Sequence, residues 1–169
     1  EHGRWGHGHS LFKEVMHIPL FFYYPEGHLK PGRIKQNVSI MDILPTLREL
    51  IQLKKDPMNE GISLMNFLMK GENVPQNDRL LYGHLLKRRG RKNRMKEYEA
   101  NATIQGQWYY YKTYPGPKGN YKQYLYDMDK DFNQEQNLIN EKPVLVKKLK
   151  NRYTHFYKTS RKFKADMGI

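Results

Sequence analysis

The apolar residues of this 169-residue chain follow several distinct patterns, and each pattern predicts an element of structure. His17 to Tyr24 reads HIPLFFYY, an apolar and aromatic run that is followed by Pro25 and Gly27. A short continuous apolar run next to turn residues is typical of a strand that is buried on both faces of a parallel sheet. The run therefore predicts a buried strand in an α/β protein.

A helical period follows this run. Apolar residues recur at i, i+4, i+7 and i+8 and predict one apolar face that packs on the sheet: Ile43, Leu47, Leu50 and Ile51. Ser39 and Asp42 have the spacing of a capping box at the start of this helix, with Asp in place of the usual Glu. We interpret Asp42 as a capping carboxylate, and the alternative is a metal ligand. Leu64 to Lys70 predicts a second short helix, which Gly71 would end.

The second half of the chain alternates between strand and turn signals. Arg79 to Leu86 predicts a strand, Ala102 to Gln105 and Trp108 to Tyr114 predict a hairpin, and Lys122 to Tyr126 predicts a further strand. Because side chains alternate between the two faces of a strand, we expect half of the rings in the Trp-Tyr-Tyr-Tyr run to be buried. Pro143 to Phe163 carries apolar residues at spacings of four, four and three, which predicts a closing helix with one docking face.

A basic run separates these two halves. Lys87 to Lys96 (KRRGRKNRMK) carries seven positive charges in ten residues and predicts a solvated loop, with contact to a polyanion as the alternative. We therefore expect an α/β unit over residues 1–86, a basic linker over 87–97, and a small antiparallel unit with its closing helix over 98–169.

The composition limits the possible partners. The chain has 30 Lys and Arg residues against 17 Asp and Glu residues, a net charge of +13. Such a surface attracts polyanions such as nucleic acid, anionic lipid or sulfated glycan, and charge alone does not choose among them. The absence of cysteine excludes disulfides and thiolate metal sites. No apolar run reaches about 18 residues, so none of this sequence is predicted to span a membrane.

The candidate chemistry lies in the first 17 residues, which contain four histidines, the first three of them separated by Gly3, Gly6 and Gly8. They are His2, His7, His9 and His17. A polar, glycine-rich loop that leads into a buried strand is a usual place for catalytic groups in an α/β protein. Imidazole has an ordinary pKa of about 6.5, so a histidine there can act as a cationic clamp or as a proton donor near neutral pH.

These motifs resemble a known family. The order Glu-His-Gly, Trp-Gly, His-Ser-Leu-Phe and His-Ile-Pro-Leu-Phe within Glu1 to Gly27 resembles the middle of a sulfatase, a branch of the alkaline phosphatase superfamily. Three later segments resemble sulfatase segments in the same order: Val38 to Leu47, Gly61 to Gly71, and Leu125 to Leu138. The resemblance covers Glu1 to about Leu138, which is most of the chain.

The resemblance implies a fold, and it implies which catalytic groups belong to this sequence and which do not. The expected fold is the C-terminal portion of an alkaline-phosphatase-like α/β sandwich, a mixed sheet flanked by helices, with a small C-terminal antiparallel sheet and a terminal helix. Residues 1–86 would be the C-terminal part of the catalytic domain. Sulfatases carry a Cys or Ser in a C/S-x-P-x-R motif that becomes the formylglycine nucleophile, and this sequence has neither version. We therefore expect the formylglycine and the ligands of a divalent cation, Ca²⁺, upstream of this sequence, and no activity from this piece alone.

The resemblance also suggests roles for the histidines. Many sulfatases place a Lys about four residues before the aromatic residue that aligns with Phe12, where this sequence has Gly8. In sulfatases such a basic side chain neutralises the sulfate and protonates the leaving alcohol. The departure at Gly8 leaves this role to a histidine or leaves it unfilled. His9 is the first candidate as catalytic and substrate-binding residue, and His7 is the second candidate for binding. Loop histidines that bond only to backbone are the alternative, and we assign no metal ligand or cofactor-binding residue within this chain.

Three functional classes remain open from the sequence. The first is a metal-dependent sulfatase, a sulfuric ester hydrolase acting on a sulfated small molecule or glycan. The second is a phosphodiesterase or a phosphoglycerol or phosphoethanolamine transferase of the same superfamily. The third is a basic module that binds nucleic acid or sulfated glycan. The position of the basic residues, in one loop and one helix outside the organised motifs, counts against this class, and we expect no nucleic-acid partner. The resemblance favours an exported protein, whether periplasmic, extracellular or lysosomal.

Overall fold

The structure, a computed structural model, describes residues 10–25, 28–72, 79–89, 96–113 and 121–166. The described residues form two compact units: residues up to Ile18 together with those from Leu80 onward, and Pro19–Arg79. The first unit contains helix α1 (Lys13–Met16), strands β1 (Leu81–Arg89), β2 (Lys96–Gln105), β3 (Trp108–Thr113) and β4 (Lys122–Asp127), and helix α4 (Pro143–Asp166). The second contains a 3-10 turn (Ile40–Asp42) and helices α2 (Ile43–Leu50) and α3 (Met65–Lys70).

The first unit is built on a four-stranded antiparallel sheet in the order β1-β2-β3-β4. The register pairs Leu81 with Ile104 between β1 and β2, and Tyr110 with Leu125 between β3 and β4. The predicted hairpin, the further strand and the closing helix are all present, so the expected small antiparallel sheet with a terminal helix is confirmed.

Both faces of this sheet are covered. Ala100, Ala102 and Tyr126 pack with Tyr109 and Tyr111 around Leu11 on one face. On the other face Tyr110 and Leu125 pack with Leu149 of α4. The expectation that half of the rings in the tyrosine run would be buried is wrong, because Tyr109, Tyr110 and Tyr111 are all buried.

Helix α4 docks through the face that its spacing predicted. Leu149 and Tyr153 are buried, and the ring of Phe156 stacks on the ring of Tyr82 from β1 at 3.9 Å between centroids. The lysines that flank Leu149 in the sequence, Lys147, Lys148 and Lys150, are exposed. Among the described helices, none is both long and apolar enough to cross a membrane.

The basic run begins and ends within the sheet. β1 extends to Arg89 and β2 begins at Lys96, and these two residues are register partners. The strand before the run therefore lies in the same sheet, and in the same compact unit, as the strand after it. Residues 90–95 lie outside the described part of the chain.

The second unit is organised around Asp42, whose side chain is fully buried. Its Oδ2 accepts the backbone N–H of Ser39 at 2.8 Å, and Met41 N donates to Ser39 Oγ at 3.3 Å, which gives the predicted capping box. Its Oδ1 accepts the N–H of Ile62 at 3.0 Å and Nη2 of Arg79 at 2.5 Å. Both carboxylate oxygens are thus used by the protein, which confirms the capping interpretation and leaves no support for a metal-ligand role.

Two glycines in this unit are required by the backbone. Gly71 ends α3 with φ of +73° and donates its N–H to Phe67 O at 2.7 Å, which confirms the predicted helix end. A Cβ on Gly61 would lie 2.0 Å from the carbonyl oxygen of Met41. The glycine of the Gly-x-Ser-Leu segment therefore permits a close backbone approach.

The prediction of a buried strand over His17 to Tyr24 is wrong. The segment forms no strand, and Phe21 and Tyr23 are 87% and 89% exposed. Phe22 packs partly against the apolar cluster around Leu64 and Leu68. A strand needs partners for its backbone N–H and C=O groups, and the four strands in the described residues pair only with one another.

The predicted apolar face of α2 is only partly correct. Leu50 packs against the cluster around Leu64, but Leu47 and Ile51 are largely exposed. The fully covered residue of this helix is Thr46, whose hydroxyl donates to Asp42 O at 2.5 Å and accepts the N–H of Leu64 at 2.9 Å. Polar contacts therefore decide which side of α2 faces inward.

We expect Asp42→Asn to lower the free energy of unfolding by about 3 to 5 kcal/mol, the usual effect of breaking a buried ion pair by removing one partner. The neutral amide leaves the Arg79 guanidinium, which is mostly buried, without its carboxylate. Urea denaturation measures the change. Asp56→Asn is the matched control, because Asp56 Oδ1 accepts only the exposed N–H of Met58 among its described bonds. Equal effects of the two substitutions would contradict the central role of Asp42.

Candidate active-site segment

The residues that the sequence singled out most strongly, His7 and His9, lie outside the described residues, as do Glu1 and His2. The described chain begins at Ser10, directly after His9. The structure therefore describes the segment that follows the two histidines, Ser10 to Met16. This segment contains the single helical turn α1.

The apolar side chains of this segment enter the core of the first unit. Leu11 is buried against the sheet. The ring of Phe12 meets three tyrosine rings at centroid distances of 4.8, 5.7 and 6.5 Å: Tyr111, Tyr124 and Tyr126. Edge contacts of this kind add about 0.5 to 1.5 kcal/mol each beyond the burial of area. The aromatic face of the sheet thus provides the surface on which the segment packs.

The backbone of the segment is held by the hydroxyl of Tyr109, which donates to the carbonyl oxygen of Leu11 in a buried, short hydrogen bond. Burial raises the pKa of Tyr109 well above its ordinary value, and the neighbouring Tyr111 and Glu14 raise it further. The hydroxyl therefore keeps its proton throughout the physiological range and remains a donor. Burial raises the pKa of Tyr126 in the same way, and the neighbouring Tyr124 and Asp131 raise it further.

Lys13 is bound by the loop that follows β4. Its backbone N–H donates to Gln134 Oε1 at 2.8 Å, and its Nζ donates to Asn133 Oδ1 at 2.6 Å. The same Nζ lies 4.4 Å from the centroid of the Phe132 ring, within the range of a cation–π interaction. Three successive residues of one loop therefore hold the main chain and the side chain of Lys13.

That loop is shaped by two aspartates, Asp127 and Asp131, of the sequence Asp127-x-Asp129-x-Asp131. Asp127 Oδ1 accepts the N–H of Asp129, and the two carboxylate oxygens of Asp131 accept the N–H groups of Glu135 and Gln136. The carboxylates of Asp127 and Asp131 accept bonds from backbone amides, as is usual in a turn. In the described part of the chain, no group of three or more His, Asp or Glu side chains is arranged to hold a metal ion.

Two of the histidines that the structure describes, His17 and His84, have simple surroundings. The ring of His17 is perpendicular to that of Phe132 at 5.5 Å. His84 Nε2 lies 3.3 Å from Glu99 Oε1, and its ring lies 5.7 Å from that of Tyr157 on α4. Contacts with rings and with one partly exposed carboxylate are typical of histidines with a structural role.

Sequence reasoning missed the residues that hold this segment: Tyr109, Asn133 and Gln134. The tyrosine was indistinguishable from its neighbours in the Trp-Tyr-Tyr-Tyr run, and Asn-Gln in a polar turn is typical of a solvated loop. These residues are 98 to 121 positions from their partners in the chain. Only the folded sheet brings them together.

Comparison with known proteins identifies the fold. No family model matches the chain, and no curated protein matches it. Among solved structures, it is similar to BT4656 in complex with its substrate D-glucosamine-2-N,6-O-disulfate, with a TM-score of 0.54 and 18% identity over 72% of this chain and 24% of that chain. It is also similar to BT1596, a 2-O GAG sulfatase, with a TM-score of 0.52 and 19% identity over 75% of this chain and 26% of that chain.

At these identities the likeness concerns the fold, and the chain spans about a quarter of the length of each solved chain that it matches. The resemblance to sulfatases that the ordered motifs indicated is confirmed at this level. The chain has a sulfatase-like fold.

We expect Phe12→Ala to lower the free energy of unfolding by about 3 kcal/mol, because the substitution empties the site between three tyrosine rings. Phe21→Ala is the matched control: the same atoms are removed from a ring that is almost fully exposed, so the change should stay within about 0.5 kcal/mol. Urea denaturation of the two variants provides the comparison. If Phe21→Ala lowers the free energy of unfolding as much as Phe12→Ala does, the packing of Phe12 on the tyrosine rings does not have the importance that we assign to it.

Proposed function

We propose that this chain is part of a sulfatase that hydrolyses sulfate monoesters of sulfated sugars. The observation that carries the proposal is the fold shared with BT4656 and BT1596 over about three quarters of this chain, together with the four sulfatase-like motifs in the same order. BT4656 has D-glucosamine-2-N,6-O-disulfate as its substrate and BT1596 is a 2-O GAG sulfatase. The proposed substrate is accordingly a sulfated sugar, alone or within a glycan.

Hydrolysis of a sulfate ester needs a nucleophile for sulfur, positive charge for the sulfate oxygens and a proton for the leaving alcohol. The sequence has no cysteine and no Ser-x-Pro-x-Arg motif, and no cluster in its described residues suits a metal ion. In this proposal the formylglycine nucleophile and the divalent cation, Ca²⁺, belong to polypeptide outside this sequence. The cation would supply charge neutralisation at the sulfate oxygens.

His9 is the proposed source of the proton in this chain. An alkoxide is a poor leaving group, and an imidazolium, whose ordinary pKa is about 6.5, can protonate the ester oxygen as the bond to sulfur breaks. His7, two residues earlier, is the proposed second contact to the anionic substrate. The net charge of +13 favours the approach of an anionic sugar to this part of the protein.

The substrate class can be tested with the full-length polypeptide that contains this sequence. We expect it to hydrolyse D-glucosamine 6-O-sulfate or nitrophenyl sulfate at least about a hundredfold faster than bis-nitrophenyl phosphate, because the site would be built for a sulfate monoester. The 169-residue chain by itself, assayed in parallel, should show no turnover. Preferred cleavage of the phosphodiester would favour the phosphoryl-transfer alternative, and tight polyanion binding without turnover of either ester would favour a binding module.

The role of His9 predicts a specific kinetic pattern. His9→Ala in the full-length protein should lower kcat for an alkyl sulfate by about 10²- to 10⁴-fold, the usual contribution of general acid catalysis, with little change in KM. The loss should be smaller for nitrophenyl sulfate, because its leaving group needs little protonation. His7→Ala is the neighbouring control and should mainly raise KM. Equal losses on the alkyl and aryl esters would replace the acid role with an electrostatic clamp.

A further inference from the structure

We infer that the exposed side of α4 is a docking surface for the polymer chain of a sulfated glycan. Its role in the enzyme rests on the proposed function. Four exposed lysines make up this basic face of α4: Lys147, Lys148, Lys150 and Lys158. The basic face would bind the polymer that carries the sulfate esters and would take no part in their hydrolysis.

The charge of α4 has one sign over nearly its whole length. Eight of its 24 residues are Lys or Arg, and its last residue, Asp166, is its only acidic residue. Helix surfaces that are merely solvated usually mix both signs, because Glu and Lys three or four residues apart stabilise each other. The lysines of α4 instead repel one another, as Lys147 and Lys150 do at a spacing of three. The stability of the helix does not explain this pattern, whereas an anionic partner would relieve the repulsion.

Helical geometry places the lysines on the side of α4 that faces away from the sheet. Leu149 is buried, and Phe156 stacks on Tyr82 of β1, so these two residues mark the docked side of the helix. Because about three helical turns separate Lys147 from Lys158, the two lie nearly on one line, opposite the docked side and about 16 Å apart along the axis. The other two lysines flank this line. A row of this length suits several anionic groups on one polymer better than a single sulfate.

The basic face has no partner of opposite charge within the described part of the chain. None of its four lysines forms an ion pair with a described carboxylate. Other basic side chains of this protein do have partners: Arg79 is paired with the buried Asp42, and Lys13 donates to Asn133. The four exposed charges are therefore available to a partner from solution.

The surroundings of the lysines argue against nucleic acid and lipid as the partner. Surfaces that bind single-stranded nucleic acid combine cations with aromatic rings on which bases stack. On α4 the ring of Tyr153 is buried and that of Phe156 is stacked on β1, so neither ring is presented beside the lysines. A membrane surface would take up the apolar side of the helix, which already packs on the sheet through Leu149.

A sulfated glycan fits this surface better. Lysines act as compact point charges, which can meet sulfate groups at varied positions along a polymer. The exposed residues between them are polar: Asn151, Thr154 and His155. Side chains of this kind form hydrogen bonds with the hydroxyl groups of a sugar. Charge and polarity together therefore match a chain that carries both sulfate and hydroxyl groups.

The consequence for the proposed function concerns the size of the substrate. When one part of a polymer is docked, its other sulfate esters reach the protein at a raised effective concentration. A sulfated polymer should then have a lower KM than a sulfated monosaccharide, whereas kcat should not depend on the docking surface.

The test removes charge from the basic face in the full-length protein that contains this sequence. One variant combines three substitutions on this face: Lys147→Gln, Lys150→Gln and Lys158→Gln. Because Gln has nearly the helix propensity of Lys, the helix should be retained. The matched control removes three exposed lysines of the second unit: Lys35→Gln, Lys54→Gln and Lys55→Gln. Both variants lose three positive charges, so they differ in which surface is changed.

Heparin, a sulfated glycan, is the binding probe and the polymeric substrate. We expect the basic-face variant to raise the Kd for heparin by at least about tenfold at about 0.15 M salt and to weaken its salt dependence, because fewer counterions are displaced. Its KM for heparin should rise by a similar factor, while kcat and the hydrolysis of D-glucosamine 6-O-sulfate stay within about twofold of wild type. The control variant should remain within about threefold of wild type in every measurement.

The outcomes separate the docking surface from the proposed function. Equal losses in the two variants, or unchanged heparin binding in the basic-face variant, would overturn the docking surface and leave the proposed function standing. Tighter binding of a DNA oligonucleotide or of phosphatidylserine vesicles through the same lysines would assign the surface to another class of partner and overturn its glycan role. If the wild-type protein binds heparin through this face but hydrolyses no sulfate ester, the proposed function fails and the docking surface stands.

Discussion

The burial of three consecutive tyrosines on β3 is the constraint on which the first unit depends. Side chains alternate across a strand, so Tyr109 and Tyr111 can be buried with Tyr110 only when both faces of the sheet are covered. Helix α4 covers one face and the segment from Ser10 to Met16 covers the other. A buried tyrosine hydroxyl also needs a partner, and these requirements direct Tyr109 to Leu11 and Tyr110 to Gln123.

The same constraint links the fold to the proposed chemistry. The segment that covers the aromatic face directly follows, in the sequence, the two histidines for which we propose catalytic and binding roles. The loop after β4 adds a second fixed point at Lys13 through the amides of Asn133 and Gln134. Residues on a regular sheet and in one loop thus hold the segment from Ser10 to Met16.

The second unit depends on polar contacts more than on apolar ones. Asp42 joins the start of α2 to the chain at Ile62 and to Arg79, and Thr46 joins the same helix to Leu64. A buried carboxylate is tolerated only when its oxygens are bonded, and here backbone N–H groups and a guanidinium provide those bonds. The apolar residues on the other side of α2, among them Leu47 and Ile51, remain exposed to solvent in this chain.

The sequence by itself determined the local elements: the hairpin, the fourth strand, the docking face of α4, the capping box at Asp42 and the helix end at Gly71 follow from spacing and turn chemistry, and ordered motifs were enough to indicate the sulfatase-like fold. Tertiary structure alone decided which elements pack on each face of the sheet. HIPLFFYY has the composition of a buried strand yet forms none, and Tyr109 differs from Tyr110 only in the face to which it points. Composition indicates how well a residue tolerates burial. Its partners in the fold lie about a hundred positions away in the chain, and no local pattern in the sequence encodes contacts over that distance.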